Sequence, residues 1–288
     1  MDRILKTLIF NNEIALTLLD TTKMVNDAIK IHNLSPLTAA ALGRTLTATA
    51  FMCSNLKSEQ DSLSVSIKGD GVGGTITASG NSKLQIRGAI DNPFAMLKAN
   101  TKGKLDVAGC VGKGSLTVVK DLGLKMPYVG KVELVSGEIA EDFAEYFLKS
   151  EQTPTAIALG VKIGTDLTCL GAGGVVLVPM PECSEESLQK AESVIPKLAN
   201  ISDLIEKNSL EEILKNLFGE YETQAMYPKY ECTCNKDYID KILIAMGEIE
   251  LYDIIKTEGK VSLHCHFCNK DYVYNKEQID ELTGKKNG

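Results

Sequence analysis

The sequence predicts an α+β fold in three parts: an N-terminal domain of mixed strands and helices, a helical acidic linker and a small C-terminal α+β module. Short alternating apolar stretches, separated by glycine turns and interrupted by helical stripes, fill residues 1–180. Residues 181–231 carry eleven acidic side chains against five lysines. Residues 232–288 contain two close pairs of cysteines. A length of 288 residues favours about two domains rather than one.

The N-terminal domain opens with a predicted hairpin. Its strands run from Ile4 to Phe10 and from Glu13 to Leu19, around a turn at Asn11-Asn12. Ser35-Pro36 then begins an Ala-, Leu- and Thr-rich helix that ends near Asn55, because proline is favoured in the first turn of a helix.

Alternating and apolar stretches predict the rest of this domain. Five alternating stretches predict strands separated by glycine turns: Leu63 to Lys68, Thr75 to Ala78, Leu84 to Ile90, Ser115 to Lys120 and Lys131 to Val135. A stripe of apolar residues at helical spacing predicts a helix from Glu138 to Ser150. Two apolar runs, Thr155 to Ile163 and Gly174 to Met180, predict buried strands that close the domain.

The linker, residues 181–231, has a net charge of −6 out of −7 for the whole chain. Ser184 is a predicted N-cap of its first helix, whose narrow apolar stripe is Leu188, Ala191, Ile195 and Leu198. A second helix is predicted from Ser209 to Phe218, stopping at Gly219. Because such short amphipathic helices carry too little apolar surface to fold alone, we expect the linker to lie over the N-terminal domain.

The four cysteines of the C-terminal module predict one zinc site. They form the pairs Cys232-Thr-Cys234 and Cys265-His-Phe-Cys268, with 30 residues between the pairs. Four thiolates complete a tetrahedral shell around Zn²⁺ and leave no open position for a water, which is typical of structural rather than catalytic zinc. Asn235 and Asn269 each follow a pair, and asparagine tolerates the left-handed turn that a zinc knuckle needs.

Histidine ligands and a redox motif are the alternatives to a zinc site of four cysteines. His264 and His266 are alternative ligands, but four thiolates already suffice, and both histidines are expected to be exposed neighbours in a strand. A thioredoxin-like role for Cys265 and Cys268 requires that the motif start a helix, whereas Asn269 to Tyr274 has an extended pattern. Of the two cysteine pairs, the C-x-C pair has the unusual spacing. A disulfide between its two cysteines would close a small, strained ring that is easily reduced.

The C-terminal module is near the lower size limit for an independent core. Helices are predicted from Lys236 to Met246 and from Ile249 to Lys256, strands from Val261 to His264 and from Tyr272 to Tyr274, and a polar tail from Gly284 to Gly288. Bound zinc would contribute on the order of 10 kcal/mol or more to the stability of such a module.

The remaining motifs have structural interpretations. Gly69-Asp-Gly71-Val-Gly-Gly74 matches a dinucleotide-binding pattern, but a strand-forming segment follows it, so a glycine-rich hairpin turn is predicted, and the same holds for Gly171-Ala-Gly-Gly174. Cys53, Cys110 and Cys169 are predicted core residues. At the linker's edge, Cys183 is expected to have a raised pKa because Glu182, Glu185 and Glu186 are nearby.

Charge and composition exclude several classes of protein. The net charge of −7 and the presence of only three arginines argue against a nucleic-acid partner. No apolar run approaches the roughly 20 residues that span a bilayer, and the N-terminus lacks a signal peptide, so no membrane partner and a cytoplasmic location are expected. In that reducing compartment, eight cysteines favour metal binding or redox sensing over permanent disulfides.

Taken over its whole length, the chain resembles the redox-regulated 33 kDa heat-shock chaperonins of bacteria. The most specific part is Cys232-x-Cys234, then 30 residues that include Met246-Gly and Glu248-Ile-Glu-Leu, then Cys265-x-Phe-Cys268 before Tyr272. Supporting matches are Leu34 to Arg44, Gly69 to Gly71, Arg87 to Pro93, and the stretch from Leu116 through Tyr128 to Glu145, Tyr146 and Ser150.

The resemblance implies a chaperone rather than an enzyme. Members of this family hold unfolding proteins without ATP and are inactive while reduced and zinc-bound. Hypochlorous acid, or peroxide with heat, converts their four cysteines to two disulfides, which in this sequence correspond to Cys232–Cys234 and Cys265–Cys268. Zinc then leaves, the linker loosens, and homodimers bind unfolded client proteins.

Two other classes stay open on the residues alone. A constitutive zinc-stabilised module would bind a folded protein or RNA, and oxidation would destroy its binding. A thiol oxidoreductase would catalyse the reduction of insulin.

Overall fold

A computed structural model describes residues 1–101 and 103–284 and confirms the α+β class. The chain forms two compact units, Met1–Glu231 and Cys232–Gly288. The first unit contains both the predicted N-terminal domain and the predicted linker. The predicted polar tail lies outside the described residues except for Gly284. Within the described ranges, no helix is both long and apolar enough to cross a membrane.

The described part of the first unit contains an antiparallel sheet of five strands. They are β1 (Arg3–Ile9), β2 (Ile14–Asp20), β8 (Ala156–Ile163), β9 (Cys169–Pro179) and β10 (Gln224–Met226), in the spatial order β10-β1-β2-β9-β8. The predicted first hairpin is confirmed, and its turn places Phe10, Asn11 and Asn12 at positive φ.

A second sheet, of six strands, lies in the same unit. Its strands are β3 (Ser62–Gly69), β4 (Thr75–Asn81), β5 (Gln85–Ile90), β6 (Gly114–Asp121), β7 (Tyr128–Glu133) and β11 (Lys229–Tyr230), in the order β11-β5-β4-β3-β6-β7. All neighbours are antiparallel except β11 and β5, which are parallel. The glycine motif from Gly69 to Gly74 is the turn between β3 and β4, as predicted, whereas β7 begins three residues before the predicted strand.

Helix α2 (Pro36–Cys53) forms the centre of the unit and contacts strands of both sheets. The Ser35 hydroxyl caps it by accepting from the Thr38 N–H, and every residue except Pro36 and Arg44 is buried, which suits a helix enclosed on all sides. Two other helices lie nearby, α3 (Val107–Val111) and α4 (Ala140–Ser150). Inside α4, the fully buried Asp142 carboxylate accepts from four backbone N–H groups in residues 135–139.

Helix α1 (Thr22–His32) was not predicted. Its N-cap residue, Thr21, makes no capping hydrogen bond through its side chain. The carboxylate of Asp2 does this instead, accepting from the N–H groups of Lys23 at 2.7 Å and Met24 at 2.8 Å. Because the cap comes from a residue about twenty positions earlier, no local signal marks the start of this helix.

The linker folds into α5 (Glu185–Val194), a 3₁₀ turn (Ile195–Asn200), α6 (Ile201–Lys207) and α7 (Leu210–Leu217). Ser184 and Ser209 cap α5 and α7. The predicted stripe is partly wrong, because Leu188 and Ile195 are 36% and 42% exposed. The buried face of α5 instead runs through Ser187, Ala191 and Val194, one position away from Leu188 and Ile195.

The linker helices cover one face of the five-stranded sheet. Alternate strand residues point to opposite faces, so Ile4 joins the core around α2 while Leu5 faces the linker. We call the second set the linker-covered face. Its sheet residues are Leu5, Ile9, Ile14, Leu16, Leu18, Val175 and Leu177, and they pack against linker residues Ala191, Val194, Leu198, Ile201, Ile205, Leu210, Ile213, Leu214 and Phe218.

The prediction of a turn at Gly171-Ala-Gly-Gly174 is wrong, since these residues lie inside β9. A Cβ on Gly171 would stand 2.4 Å from the Ser202 carbonyl oxygen in α6, and one on Gly173 would stand 1.9 Å from the carbonyl oxygen of Leu19. The glycines therefore permit close approach of the linker and of the neighbouring strand.

The second unit consists of α8 (Lys236–Met246), α9 (Glu248–Glu258), β12 (Val261–Cys265), β13 (Lys270–Tyr274) and α10 (Lys276–Thr283). The helix over Lys236 to Met246 has the predicted bounds, while α10 was not predicted although Asn275 and Gln278 form a capping box. In the described part of this unit, six side chains form the buried apolar core: Ile239, Leu243, Leu251, Val261, Tyr274 and Ile279. Such a small core is marginal without an additional source of stability.

Candidate metal centre

The four cysteines of the second unit form one cluster of thiols. The Sγ atoms of Cys232, Cys234, Cys265 and Cys268 all lie within 4.8 Å of one another. The two distances that join the pairs are 3.7 Å, from Cys232 to Cys265, and 3.3 Å, from Cys234 to Cys268. All four cysteines are free thiols, and these two distances far exceed the roughly 2.05 Å of a disulfide bond.

The C-x-x-C half of the cluster is the turn of the β12–β13 hairpin. The backbone N–H groups of Cys268 and Asn269 both donate to the Cys265 carbonyl, at 3.2 and 2.9 Å. Asn269 has φ 53°, the left-handed conformation predicted for it. The hairpin therefore holds both sulfurs on one side of a tight knuckle.

The C-x-C half lies between two well-anchored segments of chain. Just before it, the N–H of Glu231 donates to the Ile86 carbonyl at 2.8 Å. Just after it, Asn235 caps α8 by accepting from the Tyr238 N–H at 2.8 Å. The prediction of a left-handed Asn235 is wrong, because its φ is −148°, and its side chain serves as an N-cap instead.

Burial and hydrogen bonds shift the pKa values of Cys232, Cys234 and Cys268 in different directions. Burial raises the pKa of Cys232 and of Cys268, and hydrogen bonds between thiols add to both increases. Burial also acts to raise the pKa of Cys234, but hydrogen bonds from the Tyr272 hydroxyl and the neighbouring thiols outweigh it and lower this pKa to about 7. A cation among the sulfurs would favour all four thiolates together.

The cluster fits a tetrahedral divalent metal. With metal–sulfur bonds of about 2.3 Å, a tetrahedral zinc site places its sulfurs about 3.8 Å apart, close to the two distances measured here. Four sulfur ligands of this geometry are typical of zinc or of iron–sulfur sites. The four cysteines together could therefore hold a metal ion.

Tyr272 is a contributor that the residue pattern did not reveal. Its hydroxyl donates to the Cys234 sulfur at 3.3 Å. Tyr272 lies on β13, four residues after Cys268, and no spacing rule relates a tyrosine there to a thiolate of the other pair. Outer hydrogen bonds of this kind orient ligands and tune their basicity.

His264 and His266 are exposed and are not members of the thiol cluster, as expected. Their rings contact each other with centroids 5.2 Å apart, and His264 Nδ1 lies 2.7 Å from an Asp271 carboxylate oxygen. Each is therefore occupied with a neighbour other than the sulfurs.

The other four cysteines lie in the first unit. Cys53, Cys110 and Cys169 are buried, as predicted. Cys183 is partly exposed, and its pKa is raised as expected, but the causes are burial and then the charge of Glu13, not the three glutamates of the linker. Glu13 also accepts from the Ser184 hydroxyl at 2.5 Å.

The chain is similar to known proteins over nearly its whole length. The family model described as Hsp33 protein matches residues 2–275. A 33 kDa chaperonin of Clostridium botulinum strain Langeland is 37% identical over 286 residues, covering 98% of this chain and 97% of the relative. A 33 kDa chaperonin of Caldanaerobacter subterraneus subsp. tengcongensis is 42% identical over 263 residues, covering 90% of each chain.

A solved structure gives the same result for the fold. The crystal structure of the 33 kDa chaperonin (heat shock protein 33 homolog) of Thermotoga maritima superposes with a TM-score of 0.89 at 35% identity, covering 98% of this chain and 97% of that one. The family match and the shared fold together define a chaperone of the heat-shock class. The chain belongs to the Hsp33 protein family. Membership of a chaperone family implies that it binds unfolded client proteins.

Proposed function

We propose that this chain is a redox-regulated, ATP-independent holdase. In the reduced state, Cys232, Cys234, Cys265 and Cys268 ligate one Zn²⁺ and the chaperone is inactive. On oxidation these residues form the disulfides Cys232–Cys234 and Cys265–Cys268, the ion leaves, the linker loosens, and homodimers bind unfolding proteins. The observation that carries the proposal is a cluster of four thiols in a unit whose own apolar core has only six buried side chains among the described residues.

The oxidation balances as two separate two-electron steps. Each pair of thiolates loses two electrons and forms one S–S bond. One molecule of hypochlorous acid takes up those electrons with one proton from solvent to give chloride and water, or one molecule of hydrogen peroxide takes them up with two protons to give two waters. Neutral disulfide sulfurs no longer ligate the cation. When bound, the zinc supplies folding free energy to the small unit, on the order of 10 kcal/mol.

Each of the three predicted parts then has a distinct role. Residues 232–288 act as the switch, residues 181–231 as the metastable linker, and residues 1–180 as the domain that binds clients and forms the dimer. The switch follows the linker without a spacer, since Cys232 is the residue after Glu231. Unfolding of residues 232–288 would leave the C-terminal end of the linker attached to a mobile segment instead of a folded unit.

The linker-covered face is the apolar surface that loosening would expose. Nine apolar linker residues cover it. Ion pairs also join the linker to strands of the sheet. Lys162 of β8 forms ion pairs with Asp203 at 2.6 Å and Glu206 at 2.7 Å, and Arg3 of β1 pairs with Glu211. Such exposed ion pairs contribute little each, so docking depends mainly on apolar burial.

The test follows three quantities during oxidation of the purified zinc-loaded protein. Zinc release, disulfide formation mapped by mass spectrometry, and suppression of light scattering from thermally unfolding citrate synthase should rise together after warm peroxide treatment. The Cys265→Ser variant should lose this coupling, whereas Cys183→Ser, its control outside the cluster, should keep it. Equal suppression by the reduced, zinc-loaded protein would refute redox control, and loss of binding on oxidation would favour a constitutive zinc-stabilised binding module.

A further inference from the structure

Residues 224–230, here called the edge segment, complete both sheets of the first unit. Its first part, β10, is the outermost strand of the five-stranded sheet and pairs antiparallel with β1. Its last part, β11, is the outermost strand of the six-stranded sheet and pairs parallel with β5. One short stretch of chain, ending two residues before Cys232, thus covers an edge of each sheet.

Backbone pairing holds the edge segment at both places. Along β1, three residue pairs form, from Ile4 with Met226 to Lys6 with Gln224. Along β5, the Lys229 N–H donates to the Leu84 carbonyl at 3.0 Å. The next amide that donates to this edge is that of Glu231, which reaches Ile86. If the segment left, β1 and β5 would each present a row of unpaired N–H and C=O groups.

Side chains of the edge segment also pack against the apolar clusters of the first unit. Met226 and Tyr230 pack against the main core around α2, and Ala225 packs against the linker-covered face. The Tyr230 hydroxyl donates to the Gly88 carbonyl at 2.7 Å and lies 2.9 Å from His32 Nε2. The segment is therefore an extended peptide with large apolar or aromatic anchors, seated as a strand on both sheets.

The contact is short and so is suited to release. Pairing involves only three residues in β10 and two in β11, and strands of this length have little stability by themselves. Pro228, between them, has no N–H to donate. A partner with a longer run of extended backbone would form more ladder hydrogen bonds on either edge.

We propose that the edges of β1 and β5, once the edge segment has left them, bind extended segments of unfolded client proteins by strand addition. The edge segment then acts as an internal substitute for a client, and the preferred client segment has large apolar or aromatic side chains in place of Met226 and Tyr230. This inference rests on the proposed function, because release of the segment is attributed to unfolding of residues 232–288. Strand β7 is the opposite edge of the six-stranded sheet and pairs only with β6 in the described residues, so it would be open in both states.

Hydrogen exchange with mass spectrometry on the full chain tests the proposal. Amides of residues 3–9 and 85–90 should exchange slowly in the reduced protein and quickly after oxidation. They should become slow again when guanidinium-denatured citrate synthase is diluted into the oxidised protein and the complex is isolated. Amides of β7 should not change when the client binds.

A pair of tyrosine variants sharpens the test. Tyr230→Phe removes the hydroxyl that ties β11 to Gly88, a hydrogen bond whose loss should speed exchange of residues 85–90 in the reduced protein by about 5- to 10-fold. Tyr227→Phe is the matched control, since Tyr227 is 53% exposed and lies between β10 and β11. Tyr227→Phe should leave the exchange of residues 85–90 at the wild-type rate.

The outcomes separate this proposal from the proposed function. A complex that forms while residues 3–9 and 85–90 stay unprotected overturns the edge proposal and leaves redox control intact. A complex that forms equally in the reduced protein, with the edge segment still paired, overturns both. Protection of the edges without client, rising with protein concentration, would identify a second copy of the chain as the occupant and also overturn the proposal.

Discussion

Gly171 offers a way to separate linker docking from cysteine oxidation. It lies on β9 directly under α6, and an added Cβ would stand 2.4 Å from the Ser202 carbonyl oxygen and 3.0 Å from the Glu206 nitrogen. Both atoms belong to the helix backbone, so no side-chain rotation relieves the clash. The φ of Gly171 is one that alanine adopts without strain, so Gly171→Ala should act only by pushing the linker away.

The size of the effect follows from the cost of overpacking. An extra methyl group in a well-packed contact typically costs about 1–3 kcal/mol. If that cost falls on the docked linker, the population of undocked linker rises by about 5- to 150-fold without any change in the cysteines. The reduced, zinc-loaded Gly171→Ala protein should then suppress aggregation of unfolding citrate synthase more than the reduced wild type does.

Gly174→Ala is the matched control. It makes the same chemical change three residues further along β9, but its Cβ would meet the Ala158 carbonyl oxygen and Leu159, both at 2.7 Å, and not the linker. It should lower the stability of the first unit while activity still requires oxidation. If Gly171→Ala destabilises the protein by 1–3 kcal/mol, as predicted from overpacking, yet its reduced form is as inactive as wild type, then linker docking does not control client binding.

Three further substitutions have effects that follow from the surroundings of one side chain each. Asp142→Ala leaves four N–H groups, two of them buried, without their acceptor and should cost about 3 kcal/mol in chemical denaturation, with Asp142→Asn losing less because one acceptor oxygen remains. Tyr272→Phe removes the donor to the Cys234 sulfur and should weaken zinc binding in a chelator competition by about 10-fold, and unchanged affinity would contradict this role. Burial lowers the pKa of Lys6 from 10.5 to about 8, so the unfolded chain binds more protons between these values and the contribution of Lys6 to stability rises with pH across that range. Thermal unfolding of wild type and Lys6→Met at pH 8 and pH 10 should show a smaller gain for the variant.

Much of the fold could be predicted because its signals are local. The helix from Lys236 to Met246 and the hairpin around Asn11 are specified by nearby caps, turns and periodicity. The failures have nonlocal causes. Helix α1 takes its cap from Asp2, and Gly171 of β9 is required by a linker helix some thirty residues later. The strands β10 and β11 are too short to have a period and exist only through pairing with distant edges.

The candidate site shows the same division. The spacing of the four cysteines is enough to predict that their sulfurs lie together, because two close pairs of cysteines are typical of a metal site. Asn235 was assigned the wrong conformation because the sequence pattern does not distinguish a knuckle residue from an N-cap. The spacing does not predict the contact of Tyr272 with Cys234, because a hydroxyl that reaches a sulfur 38 residues away in the chain leaves no mark in the spacing.

The position of the edge segment also determines the order in which a nascent chain matures. Domains fold during synthesis from the N-terminus, but both sheets here take their last strand from residues 224–230. Until the ribosome has made about four-fifths of the protein, the edges of β1 and β5 have no partner. The newborn chain therefore passes through an open-edged stage that ends when residues 224–230 pair with β1 and β5, before its cysteine module is complete.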